Sequence, residues 1–383
     1  MNNRTLLEYE FPQDKGLLYL NHAAVSPWPR RSAEAIKEFA EENTVLGAQN
    51  YKKWEQKEHS LRVQLRTLIN AASENEISLL KNTSEALSVV ASGINWQKSD
   101  NVVSTNEEFP SNRFPWQAQK KRGVELKQIP VQVKEPEQAL MNACDERTRV
   151  MSISSVQYGS GLKLDLQVLG RFCRANQILF CVDAIQSIGA HKIDVQAINA
   201  DFAMADAHKW MMGPEGIALF YCRAEIREQL KLYQFGWHMV EHAGDYDREE
   251  WQAAKSSKRF ECGSPNMLGT HALSASLSLI EELGMDYIEK ALCEKSAYII
   301  NKLNEIRNIR IVSNSSVERL AGIVNFQIEG VNHNELYAEL MRNRVICAHR
   351  HGGIRFSPHF YTSKIKIDKA LRILSSLIKA NHE

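Results

Sequence analysis

Between residues 150 and 222 short apolar runs alternate with helical patterns, and this alternation leaves the chain few folds to choose from. Val150-Met151-Ser152-Ile153-Ser154 reads as a strand, and Asp165 to Asn176 as an amphipathic helix with Leu166, Leu169 and Phe172 on one face. Ile178 to Val182 reads as a second strand, Phe202 to Ala205 as a third and Ile217 to Cys222 as a fourth. Strands buried on both faces carry near-continuous apolar residues, and parallel neighbours need a helical crossover to join them. The pattern predicts an α/β fold with a mostly parallel sheet covered by helices.

The flanks differ from this block. Ser84 to Ile94 reads as a helix after a turn, and Asn101 to Ser104 as a strand. Beyond Gly263 come two long helical patterns, Leu268 to Leu283 and Met285 to Ile306, then short strand-like pieces such as Ile323 to Ile328. A boundary near Gly263 gives a large domain over residues 16–263. A smaller α+β domain is expected over 264–383, with residues 1–15 packed onto it. There is no internal repeat and no low-complexity segment.

Charge and cysteine usage exclude several classes. The 383 residues hold 47 Lys plus Arg against 46 Asp plus Glu, a formal net charge of +1 that gives no reason to expect a nucleic-acid partner or a membrane surface. No apolar run spans a bilayer, and the acidic start MNNRTLLEYEFPQDKG has no signal core, so the expected compartment is the cytoplasm. The seven cysteines are scattered, with no C-x-x-C pair, and predict neither a disulfide framework nor a metal site.

Open α/β sheets bind ligands at the carboxyl ends of their strands. Lys209, in Ala-Asp-Ala-His-Lys-Trp just past the third strand, stands at such an end. It is either a solvated loop lysine or, when desolvated, an amine nucleophile of lowered pKa. Asp183 closes the second strand and suits either helix capping or the protonated ring nitrogen of pyridoxal phosphate (PLP). Gln186 follows at a distance suited to a second ring contact. Asn82-Thr83-Ser84 opens a helix, where free N–H groups and hydroxyls either cap the helix or hold a phosphate. Phe109, after a strand, is a core aromatic or a flat face for a cofactor ring. Arg355, after Gly352-Gly353-Ile354, is a surface residue or a clamp for a substrate carboxylate.

The order of these residues resembles the class V aminotransferase family of fold-type I PLP enzymes, the group that includes cysteine desulfurases, isopenicillin N epimerase and kynureninase. The resemblance runs from Tyr19-Leu20-Asn21-His22-Ala23-Ala24 to Phe360-Tyr361-Thr362. Its most specific segments are Cys181-Val182-Asp183-Ala184-Ile185-Gln186-Ser187, Ala207-His208-Lys209-Trp210 and Arg259-Phe260-Glu261-Cys262-Gly263-Ser264-Pro265-Asn266. It implies a large domain with a mostly parallel seven-stranded sheet and pyridoxal 5'-phosphate held as a Schiff base on Lys209. Asp183 matches the partner of the pyridinium and Gln186 the contact to the ring oxygen. Thr83, Ser84 and His208 match the phosphate site. Gly263 and Ser264 match the segment that reaches the phosphate of the neighbouring subunit, which implies a homodimer with shared active sites. Arg355 matches the arginine that holds the substrate carboxylate.

The departures bear on the reaction. Phe109 stands where cysteine desulfurases have a stacking histidine, and Phe-Pro-Ser-Asn and Val156 to Gly161 look more like kynureninase, whereas Gln186 does not. Asp206 stands where desulfurases place a phosphate-binding hydroxyl, and a carboxylate there repels the phosphate unless water or His208 intervenes. Cys347 follows the apolar pair Val345-Ile346 and is expected to face the core, which disfavours persulfide-forming desulfuration. His22 and His349 are either second contacts of the site or structural histidines. The expected substrate is an amino acid reacting at Cα. Transamination ranks first on family membership alone, then a C–S or C–C lyase, then an epimerase. A non-catalytic scaffold of the same fold is the alternative that intact Lys209, Asp183 and Arg355 argue against.

Overall fold

The computed structural model describes residues 3–380. Its central sheet has seven strands: Ile77–Leu80, Asn101–Thr105, Glu125–Ile129, Thr148–Ser154, Leu179–Asp183, Phe202–Asp206 and Ala218–Cys222. Across the sheet they run in the order 77–80, 218–222, 202–206, 179–183, 148–154, 101–105, 125–129. Every pairing is parallel except the two made by Ala218–Cys222. The expected mostly parallel sheet is present, with bounds shifted by one or two residues.

Burial on both faces explains why the strands read as apolar runs. All five residues of Phe202–Asp206 and of Ala218–Cys222 are buried. One face packs Val103, Met151, Ile153, Phe180, Val182 and Ala203 into a core closed by Leu169 of the helix Leu166–Ala175. Asp165 caps that helix, accepting from the amides of Gln167 at 3.0 Å and Val168 at 3.1 Å. The opposite face packs Val102, Val150, Cys181, Phe202 and Phe220 against Leu87 and Val90 of the helix Thr83–Gly93.

A second core lies under a four-stranded antiparallel sheet, ordered Ala348–Arg350, Gly353–Phe356, Val324–Ile328, Ile309–Ile311. Phe326, Ile354 and Phe356 meet Ile299, Leu336, Leu371 and Leu374 there. Leu18 and Leu20 join this core; Leu6 and Phe11 cluster with the core of the large sheet, and Phe11 stacks on Tyr361 of the C-terminal part. Leu273, Leu277 and Ile280 of the helix Met267–Leu283 also pack on the large-sheet side. The hairpin that delivers Arg355 turns through His351 and Gly352 alone, with φ of 49° and 69°. Two successive residues of positive φ give the turn whose twist matches a hairpin. Among the described residues no helix is long and apolar enough to cross a membrane.

Candidate active site

Three parallel strands end in polar residues at one edge of the large sheet: Ser154, Asp183 and Asp206. A cavity of about 270 Å³ opens over that edge. Thr83, Ser84, Phe109 and Asp183 line it, and so do Gln186, His208, Lys209 and Arg355. These eight sequence-expected residues therefore meet in one place, with Arg355 brought in from the small sheet.

Lys209 and Asp183 are both buried in the wall. Burial pushes the Lys209 amine down from its ordinary value, Arg355 adds to the shift, and Asp183 opposes it. Among the described residues no hydrogen bond or ion pair holds that amine, and the Phe109 ring centroid lies 5.7 Å from it. Burial pushes the Asp183 carboxyl up, helped by the nearby Glu108 and opposed by the Ile185 amide and Lys209. One Asp183 oxygen accepts from Ile185 N at 3.1 Å, and its other oxygen has no partner among the described residues. Gln186 donates to the Ala23 carbonyl at 3.0 Å and accepts from the Trp210 indole at 2.8 Å, which leaves one amide hydrogen free.

Helix capping at Thr83–Gly93 is done by Asn82, not by the hydroxyls of Thr83 or Ser84. Asn82 Oδ1 accepts from Glu85 N at 2.9 Å. Thr83 Oγ1 accepts from Asp206 N at 3.1 Å and keeps its own hydrogen to donate. Ser84 Oγ donates to Ser111 Oγ at 2.7 Å. The start of a capped helix, with its dipole and hydroxyls, is an anion cradle. Asp206 does intrude on it, but Asp206 Oδ1 lies 3.1 Å from His208 Nδ1, so the imidazole stands against the carboxylate.

Phe109 stands edge-on to Tyr158, with ring centroids 5.1 Å apart, and is partly open to the cavity. Its position rests on Glu108, which the sequence reading passed over. This buried carboxylate accepts from Thr105 Oγ1 at 2.9 Å, Ser154 N at 2.8 Å, Ser154 Oγ at 2.5 Å, Gln157 Nε2 at 3.1 Å and Asn112 Nδ2 at 2.9 Å. Burial pushes the Glu108 carboxyl up, and the Ser154, Gln157 and Asn112 donors oppose the shift. The Glu107-Glu108 pair before Phe109 is the only trace of it in the sequence.

Arg355 is buried, donating to the Tyr158 carbonyl at 2.6 Å and to Asn21 Oδ1 at 3.5 Å, while its Nε has no partner among the described residues. No carboxylate among the described residues neutralises it. A buried guanidinium without a counter-ion is a site built for an anionic ligand.

The other named residues lie elsewhere. Gly263 is half-buried and Ser264 exposed on the segment before Met267–Leu283, outside the cavity of their own chain. His22 is locked between the Ser357 carbonyl at 2.8 Å and the Tyr361 hydroxyl at 2.7 Å, and burial drives its pKa down to about 3. That is a neutral structural histidine. His349 is half-exposed on Ala348–Arg350, also outside the cavity. Cys347 is buried in the small core, and burial pushes its thiol up to about 12. The lining adds Arg350, Tyr158, Ser111 and Glu215, which the sequence reading did not single out.

The donor set fits PLP. A desolvated amine, a carboxylate with a free oxygen, an anion cradle, an aromatic face and an unpaired guanidinium surround one cavity. Lys209, Asp183, Gln186, Phe109, Thr83, Ser84 and His208 would hold the cofactor, leaving Arg355 for the substrate.

Comparisons with known proteins agree. A protein of Methanothermobacter thermautotrophicus named "Probable cysteine desulfurase" is 29% identical over 384 residues, covering 94% of each chain. One of the same name from Pyrococcus abyssi is 27% identical over 396 residues, covering 97% of this chain and 96% of that protein. Among solved structures, an apo cysteine desulfurase from Thermococcus onnurineus NA1 superposes with TM-score 0.86 at 24% identity, covering 98% of both chains. The cystine C–S lyase C-DES, in complex with its product cysteine persulfide, superposes with TM-score 0.88 at 22% identity, covering 95% of this chain and 99% of that one. The family model described as Aminotransferase class-V matches residues 18–382. The chain is thus a member of the class-V aminotransferase family of PLP-dependent enzymes.

Proposed function

We propose that this enzyme is a PLP-dependent C–S lyase that cleaves the Cβ–S bond of a cysteine-derived amino acid without a protein thiol to receive the sulfur. The observation that carries the reading is the cavity lining, which holds no cysteine among the described residues. Cys347, the thiol nearest in sequence to Arg355, is buried and kept protonated. The relatives carry the name "Probable cysteine desulfurase", and one fold neighbour is named a cystine C–S lyase whose product is cysteine persulfide. These move the expectation from transamination, which none of their names supports, to its lyase alternative.

The balanced reaction takes RS–CH2–CH(NH3+)–COO− and water to RSH, pyruvate and ammonium. When bound, PLP supplies the electron sink that makes the Cα proton labile. Arg355 would hold the substrate's α-carboxylate and so orient the bonds at Cα. The Lys209 amine, uncharged more readily because it is buried, takes the Cα proton and returns a proton to the departing sulfur. Asp183 would hold a proton at the cofactor's ring nitrogen, and Phe109 would orient the ring. A homodimer in which Gly263 and Ser264 complete the phosphate site of the neighbouring subunit belongs to the same proposal.

Product analysis tests it. The PLP-loaded enzyme with S-alkylcysteine or cystine is expected to form pyruvate and ammonium in equal amounts, with no alanine. Cys347→Ser is expected to keep this activity. So is Cys262→Ser, made because the family match carries the adjoining Gly263 to a neighbouring site. Alanine with sulfur bound to the protein, or accumulation of the pyridoxamine form with a keto acid, overturns the reading.

A further inference from the structure

The cavity wall carries a second arginine, and its placement follows from the register of the small sheet. Arg355 stands opposite Ala348 on the neighbouring antiparallel strand. Arg350, two residues along from Ala348, therefore rises from the same face as Arg355. Diagonal neighbours of this kind lie roughly 7–8 Å apart. Both side chains reach the same cavity.

Neither arginine has an acidic partner among the described residues. Arg350 is exposed on the wall and donates to the carbonyl of its own neighbour His349, at 2.8 Å. Arg355 donates to the Tyr158 carbonyl and Asn21. Among the described residues no ion pair joins either of them to Glu215, the one acid of the lining besides Asp183 and Asp206. Arg350 also acts electrostatically on both Arg355 and Lys209, disfavouring their charged forms. An α-carboxylate satisfies one guanidinium and leaves the other facing the space beyond Cβ. An exposed arginine is ordinary on a surface; one that shares a concave wall with a buried cation and lacks any counter-ion is not.

We propose that Arg350 is a specificity-determining residue that binds a second anionic group of the substrate, on the substituent carried by its Cβ. The substrate class is amino acids whose sulfur substituent ends in a carboxylate or another acid, in preference to neutral S-alkyl analogues. This rests on the C–S lyase reading for the bond broken, but the anion subsite itself does not.

Two measurements separate the two claims. The first is equilibrium binding to the PLP-loaded enzyme, read from the visible spectrum, using 2-aminoadipate against norleucine, which differ in the distal carboxylate alone. The wild type is expected to bind 2-aminoadipate about 10-fold or more tightly than norleucine. Arg350→Gln is expected to lower 2-aminoadipate affinity far more than norleucine affinity and so abolish that preference, and Arg350→Lys to retain most of it. A wild type without the preference, or an Arg350→Gln variant that weakens both ligands equally, overturns the proposal, since Arg350 would then serve the α-carboxylate or nothing. The second is the ratio of kcat/KM for S-carboxymethylcysteine to that for S-ethylcysteine, with the change expected in KM. If neither releases a thiol, the lyase reading fails, and the binding result still decides the subsite.

Discussion

The amine of Lys209 lies 5.7 Å from the centroid of the Phe109 ring, with no hydrogen bond or ion pair of its own among the described residues. A flat aromatic therefore covers one side of the space in which that amine reacts. Removing the face is expected to loosen the cofactor more than it alters the chemistry. Phe109→Ala should weaken PLP binding about 10-fold, and Phe109→His should recover most of the loss. Fluorescence titration of the apo-protein checks both.

Glu108 places Phe109 through the strand end at Ser154, and its burial with five donors makes it a positioning residue. Glu108→Ala leaves those donors unpaired and should destabilise the fold by about 1–3 kcal/mol. Glu108→Gln keeps the shape but removes a like charge that pushes Asp183 up. The ring-nitrogen partner should then titrate at lower pH. Denaturant melts test the first claim, and the acid limb of the spectrum of bound PLP tests the second.

His208 and Asp206 face each other at 3.1 Å beside the helix start. His208→Ala removes the imidazole that stands against the Asp206 carboxylate and should weaken PLP binding more than Asp206→Ser does. The double variant should regain affinity over His208→Ala by about 1 kcal/mol, a non-additivity expected only if the two side chains are coupled at the phosphate. Binding of pyridoxal, which lacks the phosphate, should show no such coupling.

A buried lysine of lowered pKa is a liability to the empty fold. The unfolded chain binds a proton on Lys209 more readily than the folded one, so the penalty is full below the folded pKa and fades as pH rises through the unfolded value of about 10.4. Cofactor-free Lys209→Met should melt a few degrees above the cofactor-free wild type at pH 7, and the gap should close towards pH 11. A gap independent of pH would assign the gain to packing.

Five of the seven strands were legible because they are almost wholly buried, and the cavity because several of its residues sit at strand ends; Ile77–Leu80 and the half-exposed edge strand Glu125–Ile129, which carries no apolar run, were not. Strand bounds slipped where the last residue is polar: Asp183 and Asp206 belong to their strands but break the apolar run. Thr83 and Ser84 were placed correctly at a helix start, yet Asn82 takes the capping role and frees them. Arg350, Tyr158 and Glu108 were not legible. Arg350 and Tyr158 reach the wall through a hairpin register and a loop contact far apart in sequence, and Glu108 acts from beneath Phe109. Such placements come from tertiary packing, which no local pattern encodes.

Borohydride reduction of the PLP-loaded protein, followed by digestion and peptide mass analysis, tests the central claim most directly. The pyridoxyl mass should sit on the peptide that contains Lys209, and Lys209→Ala should lose both the label and the visible absorbance. A label on another lysine, or a wild type that takes up no PLP and stays colourless, would contradict the account.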